Sequence, residues 1–207
     1  TSSLQAYGPE AEDVMMEFPV RDPWDRLLMG SPLRRKGFAI GAIIVLATLL
    51  CFAILTMDAM IHGLSPQAAG VFGRSLVAAG LFSLVPVSIL WQLDRRERES
   101  RLLLAVAFLW GGLIATALAL PLNSVILEGI ERWVAANPII SQTLGKDAAL
   151  MLGAPIAGPL VEECTKGLGI ALLFWLLRAE YDNLRDGFVY GAMVGAGFNC
   201  LEAPLYV

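Results

Sequence analysis

Charge is scarce in this chain. Of 207 residues, 16% are Asp, Glu, Lys or Arg, while 57% are hydrophobic. A soluble globular domain carries about 25% charged and roughly 45–50% apolar residues, so the balance excludes an ordinary water-soluble domain and points to an integral membrane protein. Histidine is rarer still: His62 is the only one, placed just past the first apolar run, where a plain loop residue is expected rather than a ligand. The three cysteines, Cys51, Cys164 and Cys200, fall in hydrophobic runs without CxxC spacing. They read as buried free thiols, and neither a redox compartment nor a thiol metal site follows from them. No basic patch exists to hold nucleic acid. No signal peptide is expected, because the first long apolar run begins only at Phe38.

What charge there is has a pattern. Residues 1–30 hold Glu10, Glu12, Asp13, Glu17, Asp22 and Asp25 against Arg21 and Arg26. Residues 1–36 are therefore expected to form an acidic, largely disordered tail. Residues 37–207 are expected to form an all-α, polytopic transmembrane bundle with five spans, at about 38–57, 75–93, 102–122, 150–177 and 187–207. An amphipathic interfacial helix is expected at about 124–136, where Val125, Ile126, Ile130, Trp133 and Val134 form a stripe and Glu128, Glu131 and Arg132 face elsewhere. Arg34, Arg35 and Lys36, and then Arg95, Arg96, Arg98 and Arg101, flank the first three spans. That bias places the N-terminus in the cytoplasm. The chain begins on Thr1 and stops on Val207 at the end of an apolar run, and it reads as a piece of a longer protein.

The exception to the apolar pattern lies in the fourth span. Glu162, Glu163 and Lys166 interrupt a run that is otherwise apolar out to Leu177. Such groups cost about 2.5–3.5 kcal/mol each at mid-membrane on insertion scales, and they normally mark function. Gly153, Pro155, Gly158 and Pro159 precede them, so the regular helix is expected to start near Pro159, with the carboxylates near its N-terminus. Lys166 is spaced to neutralise either one. Gly158 and Gly169 lie within about 40° and 20° of Glu162 on a helical wheel, which favours Glu162 as the inward-facing residue.

The fifth span adds Glu202. Gly187, Gly191 and Gly195 form one small-residue face suited to close helix packing, and Glu202 lies about 20° from Gly195. In an antiparallel hairpin, Glu162 and Glu202 are each about 22 Å from the same surface. Carboxylates gathered at one depth fit metal-assisted hydrolysis, with a carboxylate as general base. They also fit a cation or proton path, or polar glue between helices. The residues leave all three open.

The sequence Glu162-Glu163-Cys164-Thr165-Lys166 matches the EExxK motif of the PrsW family of intramembrane proteases. The run from Asp186 to Glu202 resembles that family's second motif, a glycine-rich helix ending in FxxxE, here Phe198-Asn199-Cys200-Leu201-Glu202. The resemblance covers roughly residues 150–207. Arg does not occupy the place that the related CAAX-type prenyl-protein proteases require, where Gly167 stands.

The resemblance implies that Glu162 and Glu163 are catalytic carboxylates and that Lys166 holds them charged. It also implies that Glu202 helps hold a metal or water, with zinc or another divalent metal as cofactor. Phe198 and Asn199 would pack around the site. It further implies a prokaryotic plasma membrane and a membrane-protein substrate. The family pattern also needs histidines in later helices, and this chain has none there. A non-catalytic membrane subunit or scaffold that keeps the fold is the competing expectation.

Overall fold

The computed structural model describes residues 28–206 except 94, 96–98, 146, 179, 180 and 182. Most of the acidic tail expected at 1–36 therefore lies outside the described residues. Elements in order are α1 (Lys36–His62), α2 (Pro66–Leu93), α3 (Arg101–Ala135), α4 (Pro138–Leu144), α5 (Ala148–Leu176) and α6 (Leu184–Glu202). Short 3-10 turns at Pro32–Arg34 and Ala203–Tyr206 flank them, and no strand occurs among the described residues. The protein is an all-α membrane bundle.

Among the described residues, three helices are long and apolar enough to cross a bilayer: α1, α2 and α3. Helices α5 and α6 coincide with the expected fourth and fifth spans. Their embedded charges and glycines keep them out of that apolar class, so apolarity alone carries three spans and not five. Two boundaries differ from expectation. Helix α2 starts at Pro66 instead of Ser75, which puts Arg74 within it. The stripe at 124–136 is not a separate interfacial helix but the second half of α3, which runs unbroken for 35 residues.

Helix α5 corrects a third expectation. It starts at Ala148 and passes through both Pro155 and Pro159. In water, such residues would open a helix. In an apolar surround, no water is available for freed backbone groups, and a continuous helix packed on its neighbours is the better solution. Glu162 therefore lies mid-helix and gains nothing from an N-terminal dipole.

Helix α6 is the buried centre. Val189, Tyr190, Val194 and Phe198 are almost fully enclosed, because α2, the first half of α3 and α5 all pack against this helix. The tightest seam lies between α6 and a π-helical turn of α3, Trp110–Ala115. A Cβ on Gly111 would run into the backbone of Val194, and one on Gly197 into the carbonyl of Phe108. Only glycine lets these backbones come so close. Thr116 satisfies the widened turn by donating from Oγ1 to the Gly111 carbonyl at 3.1 Å.

At one end of the bundle the loops are tied by polar groups. Asp186 accepts from the Asn183 backbone N–H at 2.8 Å and completes a capping box at the start of α6. Tyr190 donates from its hydroxyl to Glu99 at 3.0 Å, and Tyr181 stacks on Tyr190 with ring centroids 5.0 Å apart. Burial, followed by the charges of Glu99 and Asp186, holds the Tyr181 hydroxyl well above its ordinary range.

Candidate active site

The site forms where α5, α6 and the second half of α3 meet. Glu162 comes from the middle of α5 and Glu202 from the last residue of α6. Both line a cavity of about 260 Å³ with Thr116, Asn123, Phe198 and Tyr206 among its walls. At roughly 30 Å³ per molecule of liquid water, that volume holds several waters or a short length of extended peptide.

Lys166 lies one turn beyond Glu162. Its Nζ is 3.7 Å from Glu162 Oε2 and 3.0 Å from Glu163 Oε1. The same ammonium sits 3.9 Å from the centroid of the Phe198 ring, a cation–π contact that holds the cation without adding a second anion. Phe198 is thus more than packing: it is the platform on which the countercharge rests.

The neighbouring carboxylates differ sharply. The Glu162 side chain is 17% exposed, and Glu163 is 74% exposed. One residue of helix turns a side chain by 100°, so Glu163 cannot face the cavity while Glu162 does. Asn199 is also exposed and lines no part of the cavity. His62 closes α1, where its Nδ1 lies 3.3 Å from Asp58 Oδ1.

The glycines sort differently from their spacing. A Cβ on Gly169 would collide with the Trp110 indole, whose Nε1 donates to the Thr165 carbonyl at 3.1 Å. Gly158 is looser, since its Cβ would sit 3.7 Å from Glu162 Oε1. On α6, Gly187 and Gly195 face open space, and a Cβ on Gly191 would make only ordinary contact with Ile170. The expected packing face is therefore corrected: Gly197, meeting Phe108 and Gly112, makes the close approach. Spacing identifies a smooth face but not which neighbour is close to it.

Two residues at the cavity had no sequence signal strong enough to select them. Tyr206 donates to Glu202 Oε1 at 3.1 Å. Asn123 places its Oδ1 in a buried position with no hydrogen-bond partner among the described residues. Its position in a long apolar helix was the available clue.

The thiols take no part. Cys164 is exposed and Cys200 is half-buried, both free. No group of three or more His, Cys, Asp or Glu side chains among the described residues is arranged to hold a metal ion. A catalytic zinc takes three protein ligands. Glu162 and Glu202 offer two, so these residues do not make a complete metal centre.

Residues 99–207 match the model of the PrsW family, described as intramembrane metalloproteases. Comparison with curated proteins and with solved structures gives no match. The matched region begins beside Arg101 at the start of α3 and takes in every wall of the cavity.

Proposed function

This chain belongs to the PrsW family of intramembrane metalloproteases, and we propose that Glu162 and Glu202 together form its water-activating pair. The substrate class is a membrane segment of another protein, cut at a peptide bond in or near the bilayer. The observation that carries this reading is that two carboxyl groups, from different helices, line one cavity large enough for water and peptide, with the Lys166 ammonium beside one of them. Two carboxyl groups on one cavity can supply a base and an acid to the same peptide bond.

The Lys166 ammonium beside Glu162 supports Glu162 as the general base that takes a proton from water. Glu202 is then the acid that gives a proton to the leaving amine as the bond breaks. Tyr206, donating to Glu202 Oε1, orients that carboxyl. Glu163, on the outer face, shares Lys166 but does not touch the reacting water, so it serves as an auxiliary anion. The protein sits in the cell membrane with its N-terminus cytoplasmic, by the arginine bias of the flanks.

The test is cleavage of a single-span membrane protein by the purified full-length protein in liposomes. Wild type should release two fragments. Glu202→Gln should lose cleavage while its thermal unfolding stays near wild type. If wild type binds partner proteins yet cuts none, and Glu202→Gln binds them equally, the chain is a scaffold that keeps the fold.

A further inference from the structure

A second cavity, of about 600 Å³, lies on the other side of α6 from the carboxylates, bounded by α2, the first nine residues of α3 and α6. Its walls run lengthwise along the helices. Gly80 and Trp91 mark its extent on α2, and Val189 and Cys200 mark it on α6. Eleven residues of helix rise roughly 16 Å, about half of the ≈ 30 Å hydrocarbon core. The groove is therefore one leaflet long. Its lining is apolar apart from Ser83, whose hydroxyl is satisfied by the Ala79 carbonyl, and Arg101 at one end, the one charged residue among the described walls. Arg101 stacks 5.0 Å from the centroid of the Trp91 ring and makes no ion pair among the described residues.

We propose that this groove seats an anionic phospholipid, with an acyl chain along α2 and α6 and the phosphate at Arg101. Dimensions exclude a helix as the occupant. A volume of 600 Å³ spread over roughly 16 Å leaves a cross-section of roughly 40 Å², whereas a helix 10–12 Å in diameter needs roughly 80–110 Å². An acyl chain is thin enough and needs no polar partner along its length. The end chemistry agrees. Arginine pairs bidentately with phosphate, tryptophan favours the headgroup level, and the neighbouring connection carries Arg95, Arg96 and Arg98 in sequence, which an anionic surface attracts. This site is independent of the proteolytic reading, since its walls exclude Glu162 and Glu202.

Native mass spectrometry of the full-length protein in detergent tests it, with palmitoyl-oleoyl phosphatidylglycerol, the matching phosphatidylcholine and inorganic phosphate as probes. Phosphatidylglycerol should bind with one tight site. Arg101→Gln should weaken that site roughly fivefold, the scale of one basic residue at a membrane surface, and should leave phosphatidylcholine unchanged. Gly80→Phe, at a position where a side chain meets no atom within 4 Å, should fill the groove and abolish the tight site. Arg132→Gln, on the far half of α3, should change nothing, and inorganic phosphate should not displace the lipid.

Equal binding of the two lipids by wild type, or phosphatidylglycerol binding untouched by both Arg101→Gln and Gly80→Phe, overturns the proposal. Displacement by inorganic phosphate reduces the site to a surface ion contact and overturns it too.

Discussion

The two halves of the bundle lie in the same membrane but are built on different rules. In the most apolar stretches of α1 and α2, 6% and 11% of residues are buried within the protein, whereas the figure for α3 is 56%. Large apolar side chains such as Ile43, Ile44, Leu55, Leu81 and Phe82 stand outward from α1 and α2. Helix α3 instead meets its neighbours through Gly111, Gly112 and Ala115. Lipid is as apolar as leucine, so hydrophobicity inserts a helix without choosing its partners. Close contact is chosen by small residues and by polar groups. The family match follows that division, since it begins at residue 99 and leaves α1 and α2 outside.

The sharpest way to press on this comparison is at the carboxylates. Glu162→Gln and Glu202→Gln should each lower the rate of substrate cleavage by about 10²–10⁴-fold, the usual range for a lost general acid or base. The measurement is initial rate in liposomes, with circular dichroism to show that helicity is kept. No acidic residue in α1 or α2 should approach that effect, Asp58→Asn included.

Packing comes next. Gly197→Leu should destabilise the fold by about 3 kcal/mol or more, because the obstacle is the Phe108 and Gly112 backbone and not a movable side chain. Gly41→Leu in α1 should leave stability within about 0.5 kcal/mol, since a Cβ there meets nothing. Thermal unfolding of the two variants in one detergent makes the contrast direct. Similar shifts for both would dissolve the distinction between the halves.

Smaller effects grade it further. Trp110→Phe removes the indole donor to the buried Thr165 carbonyl and should cost about 0.5–1.5 kcal/mol, the net worth of one hydrogen bond, since that mid-helix carbonyl keeps its helical N–H partner. The pair Arg132–Glu128, at 3.2 Å and largely exposed, should contribute no more than about 0.5 kcal/mol, and a double-mutant cycle should find it close to nothing.

Much of this was legible in the residues. Apolar runs placed α1, α2 and the first half of α3, and Glu162, Glu163, Lys166 and Glu202 stood out as the charged residues of the fourth and fifth runs. Helical spacing also picked Glu162 over Glu163. The rest depended on which helices meet, which periodicity does not encode. Gly187, Gly191 and Gly195 make a regular face, yet Gly197 takes the contact because the Trp110–Ala115 turn lies on its side of α6. Pro155 and Pro159 looked like a helix start because their behaviour in water was carried into an apolar surround. Tyr206 lies beyond the motif's final residue, and only the short turn after α6 brings its hydroxyl back to Glu202.

The central claim is that the buried member of the Glu162–Glu163 pair is the base and the exposed one is not. The direct measurement is the pair of initial cleavage rates for Glu162→Gln and Glu163→Gln, in the same liposomes and with the same substrate. The structure predicts loss of at least about 10²-fold for Glu162→Gln and less than about tenfold for Glu163→Gln, whose carboxylate is largely exposed and pairs with Lys166. Equal losses, or the larger loss at Glu163, would contradict it.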